Sequence, residues 1–206
     1  MKNFIHEHVL PSIKILLFLT LLIGIIYPLF IRGIAIVLFK DQSEGSLIKN
    51  KEGTYIGSKL IGQNFSSLKY FHPRISYAGA YGYDGCDSNG SSLGPSSKIL
   101  LNVISTECEK YRKLNGLAQS IPIPADAVTS SASGLDPHIS TENARIQSDR
   151  IAKERNVTKE EVLKIVENFS HNSWLAGFNH VNVLELNIAL DERFSNKSKE
   201  EIQPKN

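Results

Sequence analysis

The residues best suited to chemistry lie in the middle of the chain. Gly90-Ser91-Ser92-Leu93-Gly94 spells G-x-S-x-G, the pattern that presents a serine on a tight strand-to-helix turn for attack on an acyl group. Asp136 and His138 follow in the order that such hydrolases use. Two features count against this reading. The turn needs an apolar strand directly before the serine, whereas Gly85-Cys86-Asp87-Ser88-Asn89 reads as loop. Asp136 and His138 stand only two positions apart, which restricts a base and the carboxylate that must orient it. A serine hydrolase with Ser92 as nucleophile is therefore kept as the alternative function.

Other chemistry is weaker still. His6-Glu7-His8 offers two imidazoles and a carboxylate to a metal, but in a short tail without further ligands nearby. No HExxH or Cys-His spacing occurs, so the six histidines are expected in surface or structural roles and no metal is expected. Cys86 and Cys108 permit one disulfide or two free thiols, and neither lies in a CxxC pair. There is no phosphate-cradling G-x-x-x-x-G-K-[ST], no dinucleotide fingerprint and no DKTGT. The chain thus has no machinery of its own for hydrolysing ATP, and no cofactor of its own is expected. With 23 basic against 21 acidic residues, dispersed along 206, it has no basic block for nucleic acid.

The elements that must position these groups begin with one apolar run, residues 13–39. Its densest part, residues 15–31, reads ILLFLTLLIGIIYPLFI and carries no charge. A helix rising about 1.5 Å per residue crosses the hydrocarbon with roughly 20 apolar residues. The run meets that length with Arg32 near the headgroups. A cleaved signal would have a shorter apolar stretch and a small-residue cleavage site, and Leu29-Phe30-Ile31-Arg32 is no such site. A buried core helix fits poorly because the run is apolar all round. The expectation is an uncleaved, single-pass anchor over 13–39 behind a short tail, 1–12. Thr20, Gly24 and Pro28 recur at every fourth position and share one face. Small residues so spaced let another helix approach closely; a lipid-facing anchor with incidental small residues is the plain alternative. Pro28 cannot donate to the Gly24 carbonyl, so a kink is expected. Lys2 and Lys14 precede the run while Arg32 and Lys40 follow it, so charge gives no orientation.

About 165 residues remain, enough for one domain with a core. Residues 40–53 form a polar connector, 54–62 a short strand, and 76–94 a long loop dense in Gly, Ser, Asp, Asn and Tyr. A helix is expected from Pro95, with Leu100, Val103, Glu107, Tyr111 and Leu114 at helical spacing and Gly116 ending it. Ser140 can cap a second helix running to about Arg155. Thr158 and Glu161 make a capping box for a third, stapled by Val157 and Val162, with Val162, Ile165, Val166 and Phe169 on its buried face. Residues 181–190, VNVLELNIAL, alternate and read as a strand. A phase slip between Val183 and Leu184 calls there for a bulge or a change of structure. Residues 195–206 read as a frayed polar tail. The fold class is α+β, mixed helix and sheet, with the domain over 54–194.

Several segments, in order, resemble one family. They are Tyr27-Pro28; Gly45-Ser46-Leu47-Ile48; residues 57–65, GSKLIGQNF; Tyr70-Phe71-His72-Pro73-Arg74; Leu93-Gly94-Pro95-Ser96; residues 123–139, IPADAVTSSASGLDPHI; Gln147; Arg150-Ile151-Ala152-Lys153; and residues 181–191, VNVLELNIALD. Each is weak alone, but the ordered set closely resembles the C subunit of the Kdp potassium-transporting ATPase. Ile75 after Arg74, where the family often has proline, and the loop up to Gly94 depart from the pattern.

The resemblance implies a non-catalytic accessory subunit of a high-affinity potassium import complex, needed for its assembly. Its implied partners are a channel-like potassium-binding subunit, a P-type ATPase subunit, a very small single-helix subunit and membrane lipid. It implies the plasma (inner) membrane, a cytoplasmic 1–12 and an extracytoplasmic domain on the outer face. It also implies a catalytic chaperone that raises the ATP affinity of the pump subunit, with ATP reached through that subunit. The family's Ser-Gly-rich segment, likened to a nucleotide-binding signature, falls here on Ser131, Ser133, Gly134 and Gln147; a turn and a helix cap explain these residues equally well. The residues themselves suit docking: Gln63, Phe65, Phe71, His72 and Arg74 combine aromatic bulk with directed donors, as interface hot spots do. Ordinary packing beneath a loop is the plain alternative. A free-standing external sensor or binding domain is the third function considered.

Overall fold

The structure is a computed structural model and describes residues 5–50, 52–173 and 178–194. It divides into two units, Met1–Leu47 and Ile48–Asn206. The first is dominated by α1 (Ile5–Leu38), 34 residues long with none of its span buried. At about 1.5 Å per residue it is about 51 Å long. It fits a single-pass membrane anchor. The helix already runs from Ile5, so residues 5–12, expected as a tail, continue the rod. A π-helical turn, Leu22–Ile26, precedes Pro28, and the Tyr27 amide donates to the Leu22 carbonyl, one residue further back than in an α-helix. The helix is locally widened where the proline ring would press on the Gly24 carbonyl.

Next along the chain comes a two-stranded sheet of β1 (Leu47–Lys49) and β2 (Tyr55–Ser58). The Asn50 side-chain oxygen closes the turn between them, accepting from the amides of Glu52 (3.1 Å) and Thr54 (2.8 Å). Residues 59–97 are irregular apart from an isolated bridge between Ile75 and Ser130. α2 (Lys98–Asn115) starts three residues later than Pro95 suggests, because Ser97 supplies the cap and accepts from the Leu100 amide. Gly116 ends it at φ 64, a left-handed conformation suited to glycine. α3 (Thr141–Arg155) is capped by Ser140, and α4 (Lys159–Asn168) carries the reciprocal Thr158–Glu161 box. Strands β3 (His138–Ser140), β4 (His171–Ser173) and β5 (Phe178–Asn182) form an antiparallel sheet in the order β3-β5-β4.

A strand over 181–190 does not form. β5 stops at Asn182 and α5 (Val183–Phe194) begins at the phase slip. The Asn182 side-chain oxygen accepts from the amides of Leu184 (3.0 Å) and Glu185 (3.2 Å), a helix cap. Val183, Leu186, Leu190 and Phe194 then fall at helical spacing and are buried. With Phe71, Ile139, Ala144, Ile151, Val162, Ile165, Val166 and Val181 they form one core between α3, α4, α5 and the three-stranded sheet. A side chain as fully buried as Leu186 contributes about 1.5–3 kcal/mol. The tail, 195–206, lies outside the described residues.

Candidate functional site

The inner face of α3 carries polar side chains among its apolar ones. Asn143, Gln147 and Arg150, at i, i+4 and i+7, share that face and are all buried. They are buried against residues 68–72, a stretch with no strand partner among the described residues. Buried backbone groups must find partners, and here side chains provide them. Gln147 accepts from the His72 amide (2.7 Å) and donates to the His72 carbonyl (3.1 Å). Asn187 of α5 accepts from the Phe71 amide (2.8 Å) and donates to the Phe71 carbonyl (3.0 Å). Arg150 donates to the carbonyls of Leu68 and Tyr70 (3.1 Å), to Gln147 Oε1 (3.0 Å) and to Asn115 Oδ1 (3.1 Å). Side chains of two helices thus hold the turn at 67–70 and the residues that follow it.

The seam continues outward. Asn143 Oδ1 accepts from Tyr111 Oη (2.7 Å) and Gln147 Nε2 (2.9 Å), while its Nδ2 donates to Asp126 (2.9 Å). Asp126 also receives the Ser140 amide (2.8 Å) and hydroxyl (2.9 Å). Burial lowers the Arg150 pKa to about 10, offset in part by Tyr111 and Glu154, so the guanidinium remains charged among neutral acceptors. Burial, then the negative end of Asp126, raises the Tyr111 phenol. His72 is pushed down by burial and then by the Arg150 charge, against the Ser67 carbonyl, which lies 3.0 Å from its Nε2.

The residues read as docking groups separate into distinct places. Phe71 is fully buried in the core, so its ring is not presented to a partner; ordinary packing explains it. Phe65 packs on the core edge with its ring 5.6 Å from Tyr70, and Gln63 reaches back to the Ile56 carbonyl (2.9 Å). His72 and Arg74 are half-buried and line the same cleft of about 320 Å³ with Gln147, Tyr111, Glu107 and Lys110. Arg74 pairs with Asp136 (3.0 Å) and donates to the Ser130 carbonyl (3.0 Å). Thr20, Gly24 and Pro28 lie on the exposed α1.

Ser131, Ser133 and Gly134 form a turn that supports the 76–90 loop. Gly134, at φ 68, donates to the Ser131 carbonyl (3.3 Å) and accepts from Ser76 Oγ (2.6 Å). A Cβ there would come within 2.4 Å of the Asn89 carbonyl oxygen, so glycine is required. Ser133 accepts from the Leu135 amide (3.1 Å), and its carbonyl accepts from Ser88 (2.9 Å). Ser131 is buried with its hydroxyl lacking a hydrogen-bond partner. None of the three walls the cleft that holds Gln147, so the fold does not gather these four residues into one pocket.

The hydrolase alternative finds no support. Ser92 has φ 52 in an irregular stretch with neither a strand directly before it nor a helix directly after. His138 and Asp136 line a different cavity, whose walls do not include Ser92, and Asp136 is held by Arg74. Cys86 and Cys108 are free thiols.

Residues missed by sequence reasoning are Asn143, Arg150, Asn187, Tyr111 and Asp126. A signal was present in part: polar residues at i, i+4 and i+7 mark a face as surely as apolar ones do.

Comparison with known proteins bears on the whole chain. The family described as "KdpC: K+-transporting ATPase, c chain" matches residues 9–192. Relatives named Potassium-transporting ATPase KdpC subunit include one from Mycobacterium tuberculosis (strain ATCC 25618 / H37Rv), 44% identical over 187 residues, covering 90% of this chain and 98% of the relative. One from Myxococcus xanthus is 48% identical over 175 residues, covering 84% and 82%. One from Caulobacter vibrioides (strain NA1000 / CB15N) is 42% identical over 190 residues, covering 91% and 94%.

Proposed function

The chain belongs to the KdpC family, the c chains of K+-transporting ATPases, and from that premise we infer that it is an accessory subunit without catalysis of its own. The observation that carries the reading is the polar seam. Gln147, Asn143, Asn187 and Arg150 each engage the backbone or one another within the domain. They hold a fold together rather than await a substrate. Its partners on this reading are a channel-like potassium-binding subunit, a P-type ATPase subunit and a small single-helix subunit. α1 anchors it in the plasma membrane and the domain stands on the outer face. Any rise in ATP affinity is exerted through the ATPase subunit, consistent with the internal engagement of Gln147.

Affinity purification of the tagged chain in mild detergent, from cells short of potassium, tests assembly. The channel-like and ATPase subunits are expected to follow it; a chain recovered alone overturns the reading. Orientation has its own test, because Cys86 is exposed. A membrane-impermeant maleimide should label it in intact cells, and labelling only after lysis would place the domain inside. ATP affinity of the complex should fall when this chain is omitted; equal affinity removes that part of the proposal.

A further inference from the structure

The chain contains two Asn-Gly pairs, Asn89-Gly90 and Asn115-Gly116. In such a pair the glycine nitrogen can reach the asparagine side-chain carbon, because no Cβ on the second residue stands in the way. The fold gives the two pairs opposite surroundings. Asn115 is buried at the end of α2. Its Nδ2 donates to the Tyr111 carbonyl (3.1 Å) and its Oδ1 accepts from Arg150 Nε (3.1 Å). The Gly116 amide donates to the Arg112 carbonyl. The nitrogen and the side-chain amide that would react are thus both held.

Asn89 is exposed in irregular chain. Among the described residues, neither its side chain nor the Gly90 amide has a hydrogen-bond partner. The backbone here lies close against another stretch of backbone. A Cβ at Gly90 would come within 2.7 Å of the Ala132 carbonyl oxygen, and one at Gly134 within 2.4 Å of the Asn89 carbonyl oxygen. Ser88 Oγ adds a bond to the Ser133 carbonyl (2.9 Å). Residues 88–90 thus seat one end of the 76–90 loop on the 132–134 turn.

We propose that Asn89 is a self-modifying site, converting in water to aspartate and isoaspartate and so releasing that end of the loop from the turn. The Gly90 nitrogen gives up its proton to solvent and attacks Asn89 Cγ. A C–N bond forms, the Cγ–Nδ2 bond breaks, and ammonia leaves with a proton returned from solvent. Water then opens the five-membered imide. Cleavage of the new bond gives aspartate in an unaltered backbone. Cleavage of the original peptide bond routes the backbone through Cγ and lengthens it by one methylene. The balance is one water in and one ammonia out, with no change of oxidation state. Either product adds a carboxylate to a loop that already exposes Asp84 and Asp87. The longer product must fit its methylene into the contact with Ala132 and Gly134, where close packing leaves no room for it.

Peptide mapping by mass spectrometry tests the site on the full-length protein in detergent, aged in neutral buffer at physiological temperature. The tryptic peptide 75–98, in which Asn89 is the sole asparagine, should gain one mass unit and separate into two isomers. The peptide 114–145 should convert at least about tenfold more slowly, because a buried pair reacts only in locally opened molecules. Asn89→Gln should abolish the gain in 75–98, since its ring closure would need a six-membered imide. Release of the loop is read by chymotryptic cleavage after the exposed Tyr81. Ageing should speed that cleavage in the native sequence and leave it unchanged in Asn89→Gln. The proposal is overturned if 75–98 keeps its mass, or if 114–145 converts as fast. Equal cleavage of the two aged proteins overturns the release of the loop.

Discussion

Gln147 has donor and acceptor both engaged beneath a closed surface, and the consequence of removing them is asymmetric. Gln147→Ala leaves the His72 amide and carbonyl buried without partners, at about 1–3 kcal/mol for each unsatisfied group. A total loss of about 2–6 kcal/mol is expected in urea unfolding; a variant of unchanged stability would return this residue to the ligand-binding candidates. His72 gives a pH signature. Burial and then Arg150 hold its pKa below the ordinary 6.5, against the Ser67 carbonyl. The unfolded chain takes up a proton near 6.5 while the native ring resists, so stability falls as pH drops through 6.5 and levels off below the native value. Thermal unfolding at about pH 7.5 and about pH 5.5 should show a larger loss for the native sequence than for His72→Gln. Asp136 titrates in a separate window, below 3.8. The identity of these residues was visible in the sequence, but their role was not. A polar side chain that binds a distant backbone leaves no local pattern, and hot-spot composition led Phe71 to be read as a docking group although the fold buries it.

Helix ends were the most legible feature, because a cap is decided within four residues of chain. Ser140, Thr158 and Gly116 act as their types and spacing require. Thr158→Ala should cost about 1 kcal/mol, measured by chemical denaturation. α5 was less legible because apolar residues at 181, 183, 184 and 186 satisfy a strand for one half and a helix for the other. Asn182 arbitrates: its oxygen caps α5 while its Nδ2 donates to the Lys59 carbonyl (2.8 Å). Asn182→Ala should lose both, about 1–2 kcal/mol for the cap alone. Asn182→Asp should keep the cap and surrender only the Lys59 bond, so it should be the milder variant in the same assay.

At the scale of the molecule, all core residues come from positions 65–194, within the second unit. A fragment beginning at residue 48 should therefore unfold cooperatively, with a midpoint close to that of the full chain in detergent. Within the described residues, a Cβ at Gly24 would meet only the Thr20 methyl, at 4.0 Å. Gly24→Leu should leave the domain's unfolding untouched and lower the yield of co-purified partners; an unchanged yield would remove the packing face. The anchor was also plain in the sequence, because length and apolarity alone decide it, though the helical course of residues 5–12 was hidden by polar residues. That rod has one more property. Its stretch from Ile15 to Leu38 rises about 36 Å, against a hydrocarbon slab of about 30 Å. Tilting, kinking or local thickening of the bilayer reconciles the two. Lipids with longer acyl tails would bring the rod upright, and shorter ones would tip it further. Bilayer thickness thereby becomes a dial on how far the rod leans.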